Sequence, residues 1–317
     1  MIPEPAEGQI KNERSISSSP EENRIAEVAK IIVGSEEDLK ILTEIEEKVM
    51  NQIHLGFDPE VLEILDREET TKSQLESLKE RLSKEIVIRL FSLGNSIYYG
   101  RLRAGKFSSF SEIILRLGMR TSKIYILALS IFFMNPDKEF TSLAARSFII
   151  SILGKILAKQ MGLKEEDVKN AELGGLFLKV GKVLMMLYQR QRGEALDAGF
   201  NSRYYPYLGL KIVEKFKLPD FLNTVLSCPG CSFREDSFSV PGIVQLAHSL
   251  VDKSFKKYGK FVLQSPMPDA DGLVTSTYGS IIASQLDAVG LGSFLEIVPC
   301  LSPRQKLHQA RTSIPPT

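Results

Sequence analysis

The chain has 317 residues, 43% hydrophobic and 25% charged, with a net charge of +1 and three cysteines. Such a composition describes an ordinary globular protein with a sizeable core and gives no global electrostatic pull toward nucleic acid or a membrane. The odd cysteine count fits a reducing compartment better than a disulfide framework, and the N-terminus has no basic-then-apolar leader. The longest apolar run, Ile124 to Met134 broken only by Ser130, is too short to span a bilayer, so a cytoplasmic protein is expected.

In chain order, residues 1–18 are polar, without apolar periodicity, and read as a flexible tail. Ser19-Pro20-Glu21-Glu22 reads as a helix start, and Gly34 as the end of that helix. Ser35 caps the next helix, which carries Leu39, Leu42, Ile45, Val49 and Ile53 on one side and stops at Gly56. Asp58-Pro59 opens another through Leu65, and Leu75, Leu78 and Leu82 mark a fourth. Ile86 to Leu93 is a short apolar helix. After it come Asn95-Ser96, Tyr98-Tyr99-Gly100 and a basic loop containing Arg101, Arg103 and Lys106. Ser108, Ser109 or Ser111 caps a helix that Gly118 stops, and Thr121 or Ser122 caps the apolar helix to Met134. Asn135-Pro136 then breaks the chain and divides an N-terminal helical subdomain, 19–135, from a second, 136–317.

In the second half a long helix is expected over Thr141 to Gln160, ended by Gly162. Leu173 to Leu187 is read as one helix, apolar around most of its circumference and therefore packed on several sides. Gly174, Gly175 and Gly181 each cost about 1 kcal/mol of helix stability relative to Ala, which implies close approach of other helices to this backbone. Lys179 is anomalous there, because a cation in an apolar helix must find a partner or reach water. Gly199 to Arg203 reads as a loop and Leu208 to Phe216 as a helix. Further helices are expected from Pro219 to the Pro229-Gly230 break, over Val240 to Tyr258 and over Ser276 to Leu291. Short turns follow from Ser293 to Ala310. No segment alternates convincingly enough to be a strand, so the fold class is all-α, multi-helical, with two packed helical subdomains.

Most chemical motifs fail on inspection. Gly175 to Lys182 is one residue too long for a phosphate loop, Val183 stands where Ser or Thr is needed, and no strand precedes it. Cys228-Pro229-Gly230-Cys231 lacks the second pair of a zinc site and reads as a helix end. Asp269-Ala270-Asp271-Gly272 lacks the acidic residue that closes a calcium loop. None of His54, His248 and His308 sits beside a carboxylate or another histidine at metal-ligand spacing in the sequence. Basic residues concentrate at Arg101, Arg103, Lys106, Arg116, Arg120 and Lys123, with aromatic residues between them. That patch could suit an anion or an acidic partner, but a solvated helical face, its charge offset by the acidic helices before it, is the favoured reading.

Three stretches together resemble a known family. Ile88 to Gly100, with its Asn95-Ser96 and Tyr98-Tyr99-Gly100 elements, is similar to a signature of bacterial HDOD domains, and Ile113 to Gly118 to the family's next element. Leu173 to Lys182 resembles the Gly-Leu-Leu-His-Asp-Ile-Gly-Lys core motif, of which Gly181 and Lys182 are kept. Tyr205 to Gly209 and Phe216 to Pro219 resemble a later element, so the likeness runs from about residue 39 to 251. The resemblance implies descent from metal-dependent phosphohydrolases of the HD type and hence an HD-like helical core.

The departures from that pattern matter more than the matches. Leu178-Lys179 replaces the His-Asp pair, and Arg146 and Tyr205 stand at histidine positions. Pro229-Gly230 occupies the His-His region, and His248 the later Asp position. Leucine offers no donor and an ammonium repels a divalent ion, so no metal, no cofactor and no catalytic residue is expected. Without metal there is no activated hydroxide. Lys179 is expected either to pair with an acid or a bound anion, or to snorkel to solvent. The leading expectation is a non-catalytic signalling or regulatory scaffold with a protein partner. A module for a nucleotide or phosphate anion comes second and a divergent phosphohydrolase third. Neither nucleic acid nor membrane is expected as a partner.

Overall fold

The computed structural model describes residues 35–53, 55–96, 107–228, 239–258, 260–266 and 276–300. The tail and first helix expected before Ser35 lie outside these residues, as do His54, His308, the Tyr98-Tyr99-Gly100 element, the loop with Arg101, Arg103 and Lys106, Pro229-Gly230 and the acidic turn at Asp269. The described chain is overwhelmingly helical, as expected of an all-α protein.

Helix α1 spans Glu36–Glu44, capped by the Ser35 side chain on Asp38 N, and runs through a wider turn, Ile45–Val49, and a tighter one, Met50–Gln52. Gly56 then turns the chain with a φ of +67°. Helices α2 (Glu60–Asp66) and α3 (Lys72–Ser77) follow; α3 opens with a capping box in which Thr71 and Gln74 satisfy each other's backbone N–H. Helix α4 is Lys84–Gly94, α5 is Phe110–Leu117 and α6 is Met119–Phe133. Neither Thr121 nor Ser122 caps α6. Gly118, at φ +89°, lets the chain turn straight from α5 into α6, leaving both hydroxyl residues buried inside the helix.

The second half is built from α7 (Lys138–Gln160), α8 (Glu165–Phe177), α9 (Val180–Arg192), α10 (Ala198–Lys215), α11 (Phe221–Leu226) and α12 (Val240–Tyr258). Leu173 to Leu187 is therefore two helices and not one: the chain breaks at Leu178-Lys179, where Lys179 leaves helical geometry at φ −108°, ψ 11°. Conversely, Gly199 to Arg203 is the first part of α10, whose start Asp197 caps by accepting from Phe200 N. Helix α7 is long and apolar enough to cross a bilayer, yet about two thirds of its most apolar window (67%) is buried against its neighbours, which marks a core helix.

Two strands correct the expectation of none. β1 (Phe261–Pro266) and β2 (Leu295–Cys300), separated by α13 (Ser276–Ala288), pair in parallel with Phe261 opposite Leu295. Each is six residues long, ends beside a proline and lacks clean alternation, so the pairing is a long-range property that local pattern does not carry. Cys228 forms a disulfide, where the cysteine count had suggested reduced thiols.

The glycines act as the sequence implied. A Cβ on Gly175 would lie 2.9 Å from the Ile150 carbonyl oxygen of α7, and one on Gly174 3.0 Å from the Val225 side chain. A Cβ on Gly181 would overlap the Tyr205 carbonyl oxygen, with Gly209 N also at 2.7 Å. Helices α7, α8, α9 and α10 thus cross backbone to backbone, and one apolar core runs through the bundle.

The N-terminal element docks on the second half. Tyr204, Tyr188 and Tyr207 donate their hydroxyls to Asp38, Glu44 and Glu46 at 2.7, 2.6 and 2.8 Å, while Leu42, Ile45 and Val49 are buried.

Candidate functional site

The break between α8 and α9 places Lys179 at the centre of the bundle, 2% exposed. Its ammonium donates to Asp252 Oδ1 on α12 at 2.9 Å. Arg146 Nη1, from α7, donates to the same oxygen at 3.3 Å and lays its guanidinium over the Phe255 ring at 4.5 Å. His248, one turn before Asp252, brings Nε2 to 3.0 Å from Oδ2, so both carboxylate oxygens are engaged. One turn into α9, the Lys182 ammonium sits over the Tyr205 ring of α10 at 4.7 Å. The Gly181 crossing, immediately beside Lys182, is what allows that contact.

The electrostatics follow from burial and crowding of like charges. Burial, then the neighbouring Lys182, pushes the Lys179 ammonium down to about 8, although Asp252 works against this. Lys182 is also lowered, by burial first, with Arg146 adding to the effect. Burial alone would raise the Asp252 carboxyl, but the adjacent His248 ring and Lys179 ammonium outweigh it and hold the group well below the usual carboxylate range. Tyr205 is pushed up to about 12 by burial and by the Asp252 charge, so its hydroxyl remains a donor at neutral pH.

Of the positions singled out in the sequence, the structure brings together Arg146, Lys179, Tyr205, His248 and Lys182. Leu178 is buried in the core at 1% exposure. Lys179 pairs with an acid and does not snorkel. The acid itself, Asp252, was missed, although a readable signal existed: it stands four residues after His248, on the same helical face, and a buried lysine demands a carboxylate.

The other two groups of candidates separate. Asn95 is structural: its side chain donates to the Phe107 carbonyl at 3.1 Å and accepts from Phe107 N at 2.8 Å, pinning the chain where α5 is about to begin. Ser96 donates to the Leu93 carbonyl and accepts from Gln285 of α13. Among the described basic residues, Lys123 is 3% exposed and donates to Asp66 at 2.6 Å and to the Lys217 carbonyl at 3.1 Å. Arg120 meets Asn170, Glu166 and the Phe221 ring, and Arg116 lies over Phe107. These three are engaged within the fold and form no shared cationic surface.

A divalent metal does not fit the central cluster. Asp252 Oδ1 already accepts from two cations, and an incoming ion would have to displace or tolerate Lys179, Arg146 and Lys182. No group of three or more His, Cys, Asp or Glu side chains converges on a metal-sized site among the described residues.

Comparison with known proteins places this architecture. The HDOD domain family matches residues 57–215. A proposed metal-dependent phosphohydrolase from Shewanella amazonensis SB2B has a similar structure, with a TM-score of 0.55, 13% identity, and coverage of 84% of this chain and 99% of that one. A second proposed phosphohydrolase from the same organism aligns at a TM-score of 0.47, 17% identity, 79% of this chain and 88% of that one. An HDOD domain protein of unknown function from Geobacter sulfurreducens aligns at 0.43, 16% identity, 78% and 89%. No curated protein matches the chain. With the family matching half of its length, across the helices that build the cluster's Lys179, Lys182 and Tyr205 face, this chain belongs to the HDOD family.

Proposed function

We propose that this protein is a non-catalytic member of its family, a bacterial, cytoplasmic regulatory scaffold that acts in signal transduction by binding another protein. The carrying observation is the Lys179–Asp252 ion pair, 2.9 Å long, at the stretch whose resemblance to the family's core motif implies His-Asp in place of Leu178-Lys179. Two further cations, Arg146 and Lys182, surround that carboxylate, and among the described residues no set of three or more His, Cys, Asp or Glu side chains is placed to hold a metal that would activate water. Family membership supports a regulatory role, and the intact packing around Gly175 and Gly181 supports a helical core kept as a scaffold.

The test is a hydrolysis assay of the full chain against bis-p-nitrophenyl phosphate and cyclic dinucleotides, with Mn²⁺, Fe²⁺ or Mg²⁺ added in turn. The expected result is no turnover above blank under any metal. Turnover that is lost in His248→Ala and Asp252→Ala variants contradicts the proposal.

A further inference from the structure

The central cluster is unbalanced. Arg146, Lys179 and Lys182 face one carboxylate, Asp252, an excess of about two positive charges counted without His248. Such an excess in a largely buried place is costly unless something negative offsets it.

Several donors there are also unspent. Lys182 has no carboxylate within ion-pair reach among the described residues and rests on an aromatic ring. The buried Nε2 of Gln245, one turn before His248 on α12, makes no hydrogen bond among the described residues. The Tyr205 hydroxyl donates to no described residue. These groups come from α9, α10 and α12, and Arg146 adds α7, so they approach from different directions, as the oxygens of a tetrahedral anion require. A flat carboxylate would suit a single guanidinium fork.

Access is provided on one side. Lys179 is sealed in at 2% exposure, whereas the Arg146, Asp252 and His248 side chains are 28%, 30% and 19% exposed. The first turn of α9 adds the positive end of a helix dipole to the same place.

We infer that this cluster is a metal-free receptor for a phosphate dianion, either free or as the terminal group of a small phosphorylated molecule. Lys182 and Arg146 supply the charge, Tyr205 supplies a hydrogen bond, and Asp252 holds Lys179, Arg146 and His248 in place. The inference rests on the reading that no metal occupies the site.

The test is isothermal titration of the full chain, treated with chelator and dialysed, with inorganic phosphate, adenosine monophosphate and acetate. Saturable one-to-one binding of phosphate, at least tenfold tighter than acetate, is expected. Adenosine monophosphate binding as tightly as phosphate assigns the site to a phosphorylated metabolite, and phosphate binding alone assigns it to the free ion. Lys182→Gln should weaken phosphate at least tenfold, and Asp252→Asn should tighten it several-fold because one negative charge is removed. Circular dichroism shows that each variant is folded; if Lys182→Gln is not, Asp252→Asn decides. Absence of saturable binding by the folded protein overturns the inference and leaves the non-catalytic reading intact. Unchanged affinity in the folded variants also overturns it. Phosphate binding that requires added Mn²⁺ overturns both.

Discussion

Three buried lysines in this bundle, Lys123, Lys155 and Lys179, meet carboxylates, and the last two show how a closed ion pair differs from an open one. Lys155 of α7 pairs with Glu172 of α8 at 2.8 Å, and Tyr125 of α6 donates to the other oxygen of Glu172 at 3.0 Å. Both charged side chains are sealed, at 10% and 3% exposure. Lys179 is equally buried, but its carboxylate is 30% exposed and shared with Arg146, and Lys182 adds a further cation. A closed pair fixes the crossing of two helices. A shared one that opens toward solvent has capacity left for a ligand.

That contrast can be broken at several points. Glu172→Ala should have the largest effect. It removes the carboxylate 2.8 Å from the buried Lys155 ammonium, and a loss of about 3–5 kcal/mol is expected in urea unfolding. Next is Gly181→Ala, whose new methyl would overlap the Tyr205 backbone. About 2–3 kcal/mol should be lost, with weaker phosphate binding as Lys182 moves off the Tyr205 ring. Asp252→Asn should cost less, about 1–2 kcal/mol, because water reaches this end of the cluster and can solvate the cations left behind. If Asp252→Asn proved as damaging as Glu172→Ala, the two sites would be alike and the contrast would fail.

The smallest effect is on pH dependence. The Lys179 ammonium titrates near 8 in the folded protein, below an ordinary lysine. Above that pH the unfolded chain holds the proton that the folded chain has released, so stability from this group should rise with pH by about 1 kcal/mol from about pH 7 to about pH 9. Lys179→Met should remove that rise. Asp252 acts with the same sign in a lower pH range, because its folded value is also depressed. Its contribution is present above the unfolded carboxyl value and is lost as pH falls through the folded one.

The helices were legible wherever a cap and an apolar stripe coincide, as at Ser35 with Leu42 and Ile45, or at Ser109 with Ile113 and Ile114. The break at Lys179 was not, because hydrophobic periodicity drifts little across two residues. What breaks the helix is the crossing of α9 with α10 at Gly181 and the pull of Asp252 from α12. Local pattern also hid the parallel strands, since β1 and β2 satisfy each other across an intervening helix. In the cluster, the cations were visible as departures from a metal motif. Their common partner was marked only by its place four residues after His248, because Asp252 meets Lys179 and Arg146 only when α12 folds against α7 and α8.

The central claim is that cations have taken the place of a metal. Metal analysis of the full chain, purified without chelator and dialysed after loading with Mn²⁺ or Fe²⁺, tests it most directly. The account predicts far less than one equivalent, unchanged in His248→Ala. One tightly held equivalent that disappears in His248→Ala or Asp252→Ala would contradict it.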